Sequence, residues 1–275
     1  MTHLTRISRS NERVSSLRTA HSALRPAHLV VAGLFAAAVS AQAGFVTWSS
    51  AQTISDDSDV STAGTLVVAH NLGTFGNASA TVNGVTFTPF ATSTTSNTLG
   101  DVTLSAATPI LGNNTDFGEI NPPFSLLSPG YQTLLQSGSF TTSAATPASI
   151  SMTLAGLTPG AQYQFQWWAH ESEVSSFNPL APPPGLPATT ATSGNSVTLE
   201  RRGVSPGSVG QFALGVFTAT STSQSIDFSG SDTKTLLSAF QLRQIAAPAI
   251  PEPGTALFGV AMLGVAFRSV SKRRR

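Results

Sequence analysis

The sequence predicts an all-β fold, an antiparallel jelly-roll-like β-sandwich, flanked by an N-terminal signal helix and a C-terminal transmembrane helix. Three observations predict the sandwich. Large apolar residues in the middle of the chain alternate with small polar ones at a period of two, the mark of half-buried strands. Gly, Asn and Pro punctuate these runs at turn positions, and no stretch between them sustains a helical period. About ten such runs occur, more than the seven of an immunoglobulin-type sandwich, with neither α/β alternation nor an internal repeat.

The chain opens on a leader. Residues 1–28 are polar and basic, with Arg6, Arg9, Arg13, Arg18 and Arg25, and they run into the apolar stretch Leu29 to Val39 and then Ala41-Gln42-Ala43. A basic region, a short apolar core and small residues at the cut predict a secretory signal peptide over residues 1–43, removed by signal peptidase between Ala43 and Gly44. The alternative is a retained anchor. Eleven residues rise only about 16 Å as a helix, roughly half of a bilayer core, which favours cleavage.

The expected domain covers residues 44–245. Its strand candidates are Thr65 to Ala69, Ala80 to Thr88, Val102 to Leu104, Gln132 to Phe140, Ile150 to Leu154, Tyr163 to Trp167, Ser196 to Glu200, Gly210 to Ala219, Gln224 to Phe228 and Phe240 to Leu242. Asn83-Gly84 between two short apolar runs is the sharpest hairpin signal. Thr108 to Gly130 and the Pro-rich stretch Ser175 to Ala188 read as long loops, because proline cannot donate to a central ladder. Residues 246–250 read as a linker.

Charge narrows the function classes. Between the two ends the cations are Arg201, Arg202, Lys234 and Arg243, and eleven acids stand against these four, leaving the segment at −7. Phosphate neutralisation needs clustered Lys and Arg, so nucleic acid is not an expected partner. Cysteine is absent, which removes disulfides, thiolate metal sites and a Cys nucleophile.

Several motifs invite chemistry. Gly203-Val204-Ser205-Pro206-Gly207 matches a nucleophile elbow around Ser205, but the next residue, Pro206, has no N–H for an oxyanion, and no His follows. A turn is expected instead. His70 and His170 read as strand-end histidines, too few for a typical catalytic zinc site. Glu171, Glu173, Asp116 and Glu119 are the acids from which a glycosidase pair would be drawn, and solvated loop acids are the competing reading. Asp57, Asp59 and Ser61 have the close spacing of oxygen ligands for a structural Ca²⁺, although the run is not an EF-hand; an acidic turn is the alternative. Trp167-Trp168 on one strand must point to opposite faces. Trp167 is then core, and Trp168 shares the other face with Gln162, Gln164 and Gln166, either as a platform for a sugar ring or covered by a loop.

The tail carries the most specific signal. Pro251-Glu252-Pro253 is followed by an apolar run from Gly254 to Phe267, then Arg268 and the cluster Lys272, Arg273, Arg274 and Arg275. These parts, in this order, resemble the PEP-CTERM sorting signal of exported bacterial proteins, over residues 251–275. The resemblance implies a transient membrane helix recognised by an exosortase, a membrane-embedded cysteine transpeptidase, with cleavage near the triplet, in exopolysaccharide-producing, biofilm-forming cells of Gram-negative type. Gly156-Leu157-Thr158-Pro159-Gly160 with Tyr163 is similar, more loosely, to the Ser/Thr-rich sandwiches that precede this signal. The fourteen-residue run spans about 21 Å, short of a roughly 30 Å hydrocarbon core, and its basic end is expected to stay cytoplasmic. The expectation is a non-enzymatic cell-surface or extracellular-matrix protein whose sandwich binds carbohydrate; the alternative is a secreted glycan-active hydrolase using loop carboxylates.

Overall fold

The computed structural model describes residues 44–144, 147–171, 186–203 and 205–246. The leader, most of the Pro-rich loop with Glu173, and the tail lie outside the described residues, and with them the expected signal helix, signal cleavage residues Ala41 and Ala43, transmembrane helix and triplet Pro251, Glu252 and Pro253. Among the described residues no helix is long and apolar enough to cross a membrane.

The described residues are all-β, with seventeen strands in mostly antiparallel sheets. In chain order these are β1 (Thr47–Trp48), β2 (Gln52–Thr53), β3 (Thr65–Gly73), β4 (Ala80–Val82), β5 (Val85–Ala91), β6 (Ser96–Leu99), β7 (Val102–Ser105), β8 (Leu111–Asn113), β9 (Gly138–Thr142), β10 (Ser149–Leu154), β11 (Gln162–Ala169), β12 (Ala188–Ser193), β13 (Asn195–Glu200), β14 (Gln211–Thr218), β15 (Gln224–Gly230), β16 (Lys234–Leu237) and β17 (Ala239–Ala246). A large sheet runs in the order β1-β14-β11-β17-β3-β5-β4, with β2 also on β14; a second runs β13-β12-β15-β10-β7-β6; a small third is β16-β9-β8. Among the described strands β3 and β5 alone pair in parallel, from His70 opposite Thr88 to Gly73 opposite Ala91, and an isolated parallel bridge joins Val46 to Gly194.

The period-two pattern decides what faces what. Tyr163, Phe165 and Trp167 of β11, Phe240 and Leu242 of β17, and Leu72 of β3 point inward and meet Ile150, Met152 and Leu154 of β10, Ile226 and Phe228 of β15, and Val102 and Leu104 of β7 in one buried cluster. This is sandwich-like packing of two inner faces. At the Asn83-Gly84 turn both residues have positive φ, 48° and 73°, as a two-residue hairpin requires.

The other face of the large sheet is also covered. Ala69, Trp168, Phe212 and Ala239 on that face pack with Val85 and Phe87, with Ile54 and Val60, and with Tyr131, Leu134 and Leu135 of a helix in a second cluster. That helix, α1 (Pro129–Leu135), corrects the expected strand Gln132 to Phe140, of which only the later part is β9. Ser128 caps α1 by accepting from Tyr131 N–H at 3.2 Å, and Pro129 sits at the first helical position. Seven residues are too few to sustain a visible period, but Tyr131, Leu134 and Leu135 fall on one face. Gly130 is required where α1 meets β4, because a Cβ there would stand 2.0 Å from Thr81 O. The stretch Thr108 to Gly130 likewise contains β8 and a 3₁₀ turn, Phe124–Leu126. Ala188, placed in the Pro-rich loop by sequence, opens β12.

Candidate functional site

The amide side chains of the large sheet act as a strap. Ser61 donates its backbone N–H to Gln166 Oε1 (2.9 Å) and its hydroxyl to Gln164 Oε1 (2.5 Å). Gln166 Nε2 donates to Asp59 O at 2.6 Å, and Gln241 Nε2 to Ser61 O at 3.0 Å. Arg243 donates to the carbonyls of Thr62, Ala63 and Gly64. Gln, an unusual choice for a covered sheet face, is there to satisfy the backbone of residues 59–64, which would otherwise be stranded against apolar surface.

Trp168 lies beyond the end of that strap and is not a sugar platform. It is fully buried: its ring meets Phe87 edge-on at 5.5 Å, and its Nε1–H donates to Tyr131 Oη at 2.9 Å. The facing was legible, but the cover was not, because it comes from α1 and β5, remote in sequence. Burial, and then the neighbouring Asp59 carboxylate, push the Tyr131 phenol well above its ordinary value.

The acidic run around Asp57 has a capping job. Asp56 and Asp59 form a reciprocal capping box on the 3₁₀ turn Asp57–Asp59. Asp59 also accepts from Ser55 N–H at 2.6 Å, Asp57 accepts from Ser128 Oγ at 2.6 Å, and Ser61 turns to the sheet. The three expected Ca²⁺ ligands, Asp57, Asp59 and Ser61, are thus each committed to a different protein partner. Among the described residues no group of three or more His, Cys, Asp or Glu is arranged to hold a metal.

Of the four candidate acids, Glu173 lies outside the described residues, and the other three are each engaged by protein partners. Glu171 is buried and bridges Arg201 Nε (3.2 Å) and Lys234 Nζ (2.5 Å), while Arg201 Nη2 reaches Asp232 at 2.6 Å. Lys234 Nζ also sits over the rings of Phe117 and Phe140, at 4.9 and 4.7 Å. Glu119 accepts from Ile120 N–H and from Asn121, and Asp116 accepts from Asn113 Nδ2 at 2.7 Å. Beside Glu171, His170 is fully buried and stacked on Phe124 at 5.0 Å. Gly210 N–H donates to its Nδ1 at 3.1 Å, so Nε2 carries the proton and donates to Phe117 O at 2.9 Å. Burial pulls this imidazole down to about 4. Ser205 stands in a turn, its carbonyl accepting from Ser208 N–H at 3.1 Å.

The candidate site lies where the two large sheets part. A cleft of about 500 Å³ opens between Val67, Val68 and His70 of β3, Thr88 and Pro89 of β5, and the β6–β7 turn at Leu99, Gly100 and Asp101. His70 shares the inner face of β3 with Val68 and Leu72, where the alternation calls for an apolar residue. Its ring packs edge-on against Phe90 and Phe240, at 5.4 and 5.5 Å, and it is only 6% exposed. Nδ1 is 2.9 Å from Thr88 Oγ1, itself a donor to Ala69 O, and 3.2 Å from the Thr88 carbonyl, so Nδ1 carries the proton and Nε2 has no protein partner among the described residues. Burial holds the imidazole below its ordinary value, so the ring is neutral at pH 7. Asp101 is exposed at the rim, and its carbonyl accepts from Ala155 N–H at 2.7 Å. A lone imidazole on the buried parity of a strand was the signal available in the sequence; the partners from β5 and the β6–β7 turn were not. Compared with protein-family models and with curated proteins, the chain matches none of them.

Proposed function

We propose that the chain is an exported cell-surface or extracellular-matrix protein of a Gram-negative-type cell, and that its sandwich is a non-enzymatic carbohydrate-binding module. In this reading the general secretion machinery and signal peptidase remove residues 1–43. An exosortase then sorts the protein through Pro251-Glu252-Pro253 after transient insertion of the apolar run into the membrane. The winding of successive strands between two stacked sheets is jelly-roll-like in the same reading.

The observation that carries the binding role is the cleft at His70, with apolar walls and a few convergent polar groups, in the size range of small-ligand sites. Both processing events are compatible with the fold. Val46 is fully buried and β1 follows it, so a cut before Gly44 spares the sandwich; β17 ends at Ala246, ahead of the triplet.

Intact-mass and terminal-peptide analysis of protein recovered from its native envelope tests the sorting. A mature chain from Gly44 to near Pro251 is expected, and recovery of Arg275 refutes cleavage. Incubation with polysaccharides tests the binding role: turnover by the wild type that the loop change Glu119→Ala abolishes, with urea unfolding unchanged, would establish the hydrolase instead.

A further inference from the structure

The lining of the His70 cleft carries a charge selection. Val67 is 49% exposed and Leu99 39%, and with Pro89 they offer apolar wall at the mouth. Such walls take the C–H face of a sugar ring, whose burial contributes in proportion to the apolar area removed from water. On the inner side, the proton of the neutral His70 ring sits on Nδ1, facing Thr88, so Nε2, without a partner among the described residues, can accept from a hydroxyl. At the rim stands the carboxylate of Asp101, with no Lys or Arg in the lining to balance it. The sequence between the two ends carries −7. A fixed anion at the mouth, backed by a field of the same sign, repels anions and attracts cations.

We propose that this cleft takes an amine-bearing saccharide, with the ammonium at Asp101, a hydroxyl at His70 and the ring face on Val67 and Leu99, and that it rejects uronate-bearing glycans. The assignment rests on the carbohydrate-binding reading above and adds the ligand class and the residues that select it. Asp101 is solvent-exposed, so its ion pair sets preference more than affinity: about threefold to fivefold in favour of the amine over its acetylated counterpart at low salt. The preference shrinks with added salt, because rim charges are screened within about 10 Å at 0.1 M.

The test uses the chain recovered from its envelope, titrated calorimetrically with a glucosamine tetramer, an N-acetylglucosamine tetramer and a galacturonate tetramer, with the imidazole resonances followed by NMR. The expected result is binding in that order, with the His70 signal shifted and the galacturonate inert. Asp101→Asn should equalise the first two ligands, and Asp101→Lys should reverse the preference; both changes are at an exposed position, and urea unfolding checks that each variant is folded. Val67→Lys, also exposed, should weaken the glucosamine tetramer tenfold or more by crowding the mouth with a like charge. Galacturonate binding as tight as glucosamine, or glucosamine binding indifferent to Asp101→Lys and Val67→Lys, overturns the proposal while leaving the module a carbohydrate binder. Failure of all three saccharides overturns the carbohydrate reading itself, and this assignment with it.

Discussion

His170 should make the folded state acid-labile in a defined window. Its ring is fully buried, Nδ1 accepts from Gly210 N–H, and Nε2 donates to Phe117 O. Protonating Nδ1 would set two donors against each other and bury a charge, which is why its pKa falls from 6.5 to about 4. The unfolded chain takes up this proton below pH 6.5, whereas the folded chain resists until about pH 4. Stability from this group is therefore complete above pH 6.5, lost as pH falls from there to 4, and flat below. Each tenfold difference in proton affinity between the two states corresponds to about 1.4 kcal/mol, so the loss reaches about 2.5 kcal/mol by pH 4.5. With a urea slope of roughly 2 to 3 kcal/mol/M for a domain of this size, the midpoint should fall by about 1 M. Urea unfolding followed by tryptophan fluorescence at pH 7.0 and 4.5 measures it, with His170→Gln as the non-titrating reference. The carboxylates titrate in both proteins, so the difference between the two pH responses isolates the imidazole. Equal falls in both proteins would refute the reasoning.

Further outcomes follow from the same contacts. Tyr131→Phe leaves the buried Trp168 Nε1–H without its acceptor and should cost about 1–3 kcal/mol in urea unfolding, whereas an exposed Trp168 would make the change nearly silent. Glu171→Gln leaves the buried Arg201 with Asp232 as its one carboxylate among the described residues and the half-buried Lys234 beside a neutral amide, and should lower stability by about 3 kcal/mol, read as a lower Tm. Gly84→Val forces a β-branched residue to φ 73° and should cost more than about 1 kcal/mol in the same assay. Asp59→Ala removes one half of the capping box and should cost about 1 kcal/mol, with no change in stability on adding Ca²⁺ or EDTA; a Ca²⁺-dependent Tm in the wild type would restore the cation site.

The strands with large alternating side chains were legible because each carries its own pattern. Ile150, Met152 and Leu154, or Tyr163, Phe165 and Trp167, state their facing without reference to anything else. β12, Ala-Thr-Thr-Ala-Thr-Ser, was not legible, since Ala191 is the one apolar residue on its core face, beside Thr189 and Ser193, and its pairing with β13 and β15 supplies the rest. α1 left its start signal in Ser128-Pro129, but its short length concealed the period. The carboxylates and the indole were visible as residue types, and their roles were not: Glu171 became an ion-pair hub and Asp59 a cap through partners that residue type alone does not name.

The sequence by itself determined the all-β class, the alternation that fixes each strand's faces, the Asn83-Gly84 turn and the absence of basic clusters between the two ends. These are local properties, written in side-chain period and backbone preference. Tertiary structure alone decided which faces stay open. It laid α1 and the strap at residues 59–64 over Trp168 and Gln166, and left His70 beside a cleft where β5 and the β6–β7 turn draw apart. Exposure depends on which remote segments come to rest on a face, and no period of two or of 3.6 residues encodes that.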